Sequence, residues 1–292
     1  MSSKIAAGAA VAPVPGAGGL PKVAVTAADG ARVEVYLHGA HVTSWIPAGE
    51  RADRLYLSES SQFAPNVAIR GGVPVCFPQF ADQGPLPMHG FARITAWELA
   101  ESGRADNGAA LARLRLTDSD ATRALWPHPF ALELSVTAHG STLVLAFTVT
   151  NTGAASFTFT TALHTYLRIA DVHATLIRGL QGARYRDKVL NKDDVVETAA
   201  ELAIDREIDR VYRGVPTMLE VREAGRATIV HAAGFVDTVI WNPGPQKGAT
   251  LHDLESDGYA HMLCVEAAVA SQAVTLKPQQ TWRGAQTLTA RA

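Results

Sequence analysis

Apolar and polar residues alternate with a period of two along most of this chain, and that pattern admits few folds. The runs ARVEVYLHGAHVTSW, FALELSVTAH, STLVLAFTVTN, SFTFTTALHTYL, ATIVHAAG and HMLCVEAAV are short and rich in Val, Thr, Phe and Leu. In an extended chain, residues two apart share a face, so such runs read as strands with one buried side. Turn chemistry separates them at His139-Gly140, Asn151-Thr152-Gly153 and Asn242-Pro243-Gly244. No strand–helix alternation appears, and antiparallel sheets packed as an all-β sandwich are expected. The stretch Thr198–Ala203 (TAAELA) is a short helical candidate.

The 292 residues, 47% hydrophobic and 18% charged, suffice for one large core. The first 20 residues, MSSKIAAGAAVAPVPGAGGL, read as a flexible Ala/Gly/Pro-rich extension, and residues 21–292 as one domain. A signal peptide fits that start poorly, and the expected compartment is cytoplasmic. A net charge of −2 without basic runs argues against nucleic acid or an anionic membrane as partner. No apolar stretch is long enough for a spanning helix. Cys76 and Cys264 sit in apolar runs and read as buried, reduced thiols. The segment from Ala64 to Trp97, with its glycine pair and prolines, reads as a long ordered loop, where sites tend to be built. Nothing in the pattern demands a partner subunit, so a monomer is expected.

Four places could carry chemistry. In SFTFTTALHTYLRI, alternation puts His164 on a face with Thr158, Thr160, Tyr166 and Arg168, opposite Phe157, Phe159, Leu163 and Leu167. That face is either a polar cleft wall or a solvated sheet surface, and the second is commoner for a lone histidine. Glu266 lies in the apolar HMLCVEAAV, where a carboxylate needs a reason: a tuned general base or a buried ion pair. Arg70 precedes Gly71-Gly72, and Arg93 follows His89 in LPMHGFARITAW. Guanidinium groups on glycine-containing loops suit a phosphate, though surface salt bridging is the default for each. Asp209 in REIDRVYRG could accept from sugar hydroxyls or simply cap a turn.

Taken in order, IRGGVPVCFP, LPMHGFAR, ALHTYLRI, IDRVY, VIWNP and CVEAA resemble the hexose-6-phosphate mutarotases (glucose-6-phosphate 1-epimerases) of the aldose 1-epimerase superfamily. The resemblance runs from about Val25 to about Thr281 and implies a galactose-mutarotase-like antiparallel β-sandwich. It implies an isomerase that interconverts the α and β anomers of a hexose 6-phosphate, D-glucose 6-phosphate being the expected one, without cofactor or metal. Matched position by position, His164 is implied as general acid and Glu266 as general base. Arg70 and Arg93 are implied as phosphate holders, Asp209 as a sugar-hydroxyl acceptor and His89 as a second histidine near the ring. Met88 stands where family members often carry Gln, and a thioether cannot replace an amide; Gln79 and Gln83 are the nearby amides.

The chemistry is coherent. Ring opening removes a proton from the C1 hydroxyl and delivers one to the ring oxygen, which a carboxylate and a histidine can do together. Rival readings are an aldose 1-epimerase for free sugars, which would leave both arginines unused, and a non-catalytic sugar-phosphate-binding protein, which would leave the acid–base pair unused. A metal-dependent hydrolase lacks HExxH or His-x-His spacing.

Overall fold

The computed structural model describes residues 10–214 and 218–292. Three sheets account for most of them, and every pairing between named strands is antiparallel. A nine-stranded sheet is centred on Phe130–His139, Thr142–Asn151 and Thr281–Arg291. An eight-stranded sheet runs from Lys192–Val196 through Arg184–Asp187, Ile208–Arg213, Asp237–Asn242 and Met262–Leu276 to Phe157–Leu163 and Val75–Cys76. A four-stranded sheet near the N-terminus completes the set.

The alternation in the sequence becomes the sandwich directly. Phe130–His139 and Thr142–Asn151 pair as a hairpin from Phe130↔Asn151 to His139↔Thr142, reversed at Gly140 with φ 58°, a left-handed conformation that suits glycine. Phe130, Leu132, Leu134 and Val136 are buried from this sheet; Phe157, Phe159, Leu163, Val265 and Ala267 meet them from the eight-stranded one. Val23, Val33, Val42 and Trp45 of the four-stranded sheet join the same core. The sandwich therefore spends one face of the eight-stranded sheet on the core. Its other face carries Cys76, Ala162, Val239 and Ala268 in one small cluster and Tyr56, Tyr166, Met262 and Cys264 in another.

Two local expectations change. Residues 1–9 of the expected extension lie outside the described residues, but Val14–Pro15 pairs with Pro21–Thr26, and Val11 exchanges backbone and side-chain bonds with Ser102. The proline-broken segment thus adds an edge strand instead of trailing free. Within TAAELA, Glu201–Ala203 is a strand paired to Leu176–Arg178, with Leu202 in the core. Six residues cannot nucleate a stable helix in isolation, and an open sheet edge supplies the missing bonds. The Ala64–Trp97 segment is largely loop, holding only the strand Val75–Cys76 and a single 3-10 turn at Ala92–Ile94. Among the described residues, no helix is long and apolar enough to cross a membrane.

Candidate active site

His164 sits where its strand is interrupted. Phe157–Leu163 ends one residue before it and Tyr166–Arg168 resumes two residues after, both against Met262–Leu276. In the gap, the His164 N–H donates to the Pro74 carbonyl at 3.0 Å and the Val265 N–H donates to the Thr165 carbonyl at 3.0 Å. The fully buried Gln286, from the opposite sheet, accepts from the Thr165 hydroxyl and donates to the Val265 carbonyl, which fixes the break from behind. Alternation survives it: Leu163 and Leu167 face the core, while Ala162, His164 and Tyr166 face the other side.

Glu266 reaches the same side by the same rule. Leu263, Val265, Ala267 and Val269 point into the core, so Cys264, Glu266 and Ala268 point away from it. Glu266 Oε1 lies 3.4 Å from His164 Nε2, with both residues buried (2% and 7% exposed). Glu266 Oε2 and His164 Nδ1 have no hydrogen-bond partner among the described residues. Both side chains line a cavity of ≈ 450 Å³, within the range of small-ligand sites.

Burial drives this pair toward its uncharged forms. Desolvation, then the charge of Asp209, holds the Glu266 carboxyl well above its ordinary range, only partly opposed by Lys188 and Arg93. Desolvation, then His89, Arg93 and Arg70, holds the His164 imidazole well below its ordinary value. Both shifts favour a neutral imidazole beside a protonated carboxyl, because burial and the charge of nearby arginines disfavour further positive charge on His164.

The other predicted residues divide. Arg70, His89 and Asp209 line the cavity with the pair. Arg70 donates to the Tyr166 hydroxyl at 2.9 Å and pairs with Asp253 at 3.1 Å, leaving its Nε without a partner. Its neighbouring glycines approach protein backbone: a Cβ on Gly71 would lie 2.5 Å from the Tyr56 carbonyl and one on Gly72 2.2 Å from that of Val42. They let the Arg70 loop lie flat on the protein's own backbone. His89, at φ 67°, accepts on Nδ1 from the Ala81 N–H at 3.2 Å, so the neutral ring carries its proton on Nε2. Burial and the charge of Arg93 lower its pKa to about 3, so the ring stays neutral. Asp209 pairs with Lys188 at 3.0 Å.

Arg93 does not line the cavity. It donates to the Met88 carbonyl at 2.9 Å, and its effect on His89, His164 and Glu266 is through its charge. Gln79 does not stand in for an amide at position 88, since its side chain is buried in bonds to Ala81 and Leu86; Gln83 lines a neighbouring pocket instead. Sequence reasoning missed Lys188, Trp241 and Lys247, which line the cavity, and Asp253, which pairs with Arg70. Trp241 is the tryptophan beside the pair, its ring 6.0 Å from that of His164. Only its place in VIWNP, opposite Cys264 in the sheet, hints at this.

Comparison with known proteins finds relatives over most of the chain. Residues 21–289 match the family described as aldose 1-epimerase. A protein of Cenchrus ciliaris named "Putative glucose-6-phosphate 1-epimerase" is 34% identical over 282 residues, which is 91% of this chain and 83% of that protein. One of the same name from Escherichia coli (strain K12) is 37% identical over 252 residues, 81% of this chain and 79% of its own. Among solved structures, a Salmonella typhimurium protein described as a "putative mutarotase" superposes with a TM-score of 0.88 at 31% identity, covering 99% of this chain and 96% of that one.

Proposed function

The chain belongs to the aldose 1-epimerase family, and from that premise we propose that it interconverts the α and β anomers of a hexose 6-phosphate, D-glucose 6-phosphate first among them. The observation that carries the reading is the buried His164–Glu266 pair, 3.4 Å apart on a cavity wall, with one hydrogen-bonding atom of each left free.

The pair holds one proton, and the reaction needs one donor and one acceptor. Burial favours placing that proton on Glu266. A bound sugar sets its C1 hydroxyl against Glu266 and its ring oxygen against His164, and hydrogen bonding to the charged forms favours moving the proton across to His164. His164 then protonates the ring oxygen while Glu266 takes the proton of the C1 hydroxyl, and the hemiacetal opens. Rotation about C1–C2 presents the other aldehyde face, and the two groups run in reverse. Each is worth about 10²–10⁴ in rate, enough for a reaction that already proceeds slowly in water.

Arg70 and Lys188, both lining the cavity, suit the phosphate, and Asp209 a sugar hydroxyl. Arg93 acts by charge from behind Met88. Remote contacts of this kind position the ring over the pair. Both cysteines are free and buried, which fits a reducing, cytoplasmic compartment.

Magnetisation-transfer NMR on glucose 6-phosphate, with free glucose and galactose alongside, tests the proposal. Exchange accelerated for the phosphosugar alone is expected. Acceleration of the free sugars alone would replace the substrate class. Binding without exchange would remove the catalytic assignment.

A further inference from the structure

Beside the acid–base pair stands a third donor that anomer exchange does not use. Cys264 stands two residues before Glu266 on Met262–Leu276 and opposite Tyr166, so its side chain shares the face of Glu266 and His164. One ring nitrogen of His164, the Cys264 Sγ and one carboxylate oxygen of Glu266 all lie within 4.8 Å of one another, and all three residues are buried. In a tetrahedral zinc site, bonds of about 2.0–2.3 Å place neighbouring donors roughly 3.3–3.8 Å apart, so small side-chain rotations close the set. Among the described residues His164 Nδ1 and Glu266 Oε2 also have no hydrogen-bond partner, so no protein group competes for them.

We propose that His164, Cys264 and Glu266 form a binding site for a thiophilic divalent cation, with Zn²⁺ the fitting ion, and that its binding switches the enzyme off. The donor set is one nitrogen, one sulfur and one oxygen, which selects a borderline-soft ion over Mg²⁺ or Ca²⁺. Three protein ligands leave a fourth position, on the side of the cavity that His164 and Glu266 line. On binding, the Cys264 thiol and the Glu266 carboxyl each give a proton to solvent, so the ion replaces two protons, and it occupies the lone pairs that proton transfer to and from the sugar requires. Inhibition rests on the anomerase reading above; ion binding does not.

Titration of the full chain with Co²⁺, a spectroscopic stand-in for zinc, reads the site without any assay of turnover. A thiolate-to-cobalt charge-transfer band saturating at one ion per chain, displaced by Zn²⁺, stripped by EDTA and indifferent to Mg²⁺, is expected. Cys264→Ser should abolish the band and Cys76→Ser should keep it. His164→Asn should weaken cobalt binding by at least the roughly 10–100-fold that even an outer-shell partner is worth. Absence of the band, or its loss in Cys76→Ser alone, overturns the site. Unchanged affinity in His164→Asn does so even where Cys264→Ser fails to fold. In the exchange assay, Zn²⁺ should stop the wild type reversibly while Cys264→Ser continues to turn over. Zinc bound without slowed exchange overturns the switch, and a wild type with no exchange on any sugar overturns the anomerase reading while the cobalt spectrum still decides the site.

Discussion

The two residues at the centre of the site hold opposed perturbations that come from one cause. Burial raises the Glu266 carboxyl and lowers the His164 imidazole, with Asp209 reinforcing the first and His89, Arg93 and Arg70 the second; Lys188 and Arg93 oppose the first. The state with one proton in the pair is thereby widened on both sides. The acid limb of kcat/KM should lie below the ordinary imidazole value of 6.5, where the pair gains a second proton. The alkaline limb should lie well above the ordinary carboxyl value of 4.5, where it loses its only one. Glu266→Gln and His164→Asn should each lower kcat by about 10²–10⁴ and remove this bell shape, as read by exchange rates across a pH series. Near-normal turnover in Glu266→Gln would exclude the carboxylate as the proton acceptor. The arginines separate by position: Arg70→Ala should raise KM for the phosphosugar about tenfold or more, the scale of one lost charge-assisted bond. Arg93→Ala, outside the lining, should change the pH limbs more than KM. Equal KM effects from the two would return Arg93 to the phosphate.

At the scale of elements, the site depends on loops laid closely on strands. Gly90, at φ 70°, presses against the Phe77 carbonyl, and a Cβ there would lie 2.2 Å from that oxygen. Gly90→Ala should cost about 1–3 kcal/mol and displace His89, lowering both Tm and kcat/KM. A full-activity, full-stability variant would show that this loop yields freely. The strands themselves were legible beforehand. The ALHTYL alternation puts His164 opposite Leu163, and the CVEAA alternation puts Glu266 opposite Val265, because a two-residue period states the face without stating the fold. The loops were less legible. Nothing in IRGG says that its glycines meet Tyr56 and Val42, and nothing in HGFAR ties Arg93 to the Met88 carbonyl, outside the cavity lining. Lys188 carries no motif at all; it enters the site through pairing between Arg184–Asp187 and Ile208–Arg213, a long-range fact that local patterning does not contain. The TAAELA strand was misread for the same reason, since an edge partner outweighed local propensity.

For the molecule as a whole, the site is a local loss of stability that a large core carries. Glu266 binds its proton more tightly folded than unfolded, so its unfavourable contribution is absent below the unfolded carboxyl pKa and grows as pH rises toward the folded one. Glu266→Gln should therefore raise stability near neutral pH by about 0.5–2 kcal/mol while abolishing turnover, and should bring little gain near pH 4. Thermal unfolding of both proteins at the two pH values decides it; a gain of equal size at both would trace the effect to packing instead of charge.

The order of strands in the site-bearing sheet has a kinetic corollary. Met262–Leu276 lies between Asp237–Asn242 and Phe157–Leu163, so His164 and Glu266 meet only when the C-terminal part of the chain inserts beside a strand from its middle. Hairpins such as Phe130–His139 with Thr142–Asn151 can close early, whereas that insertion closes a long loop and is correspondingly slow. On dilution from denaturant, β-sheet signal should return before anomer exchange does. Catalysis in this protein is then a clock for the last strand to arrive.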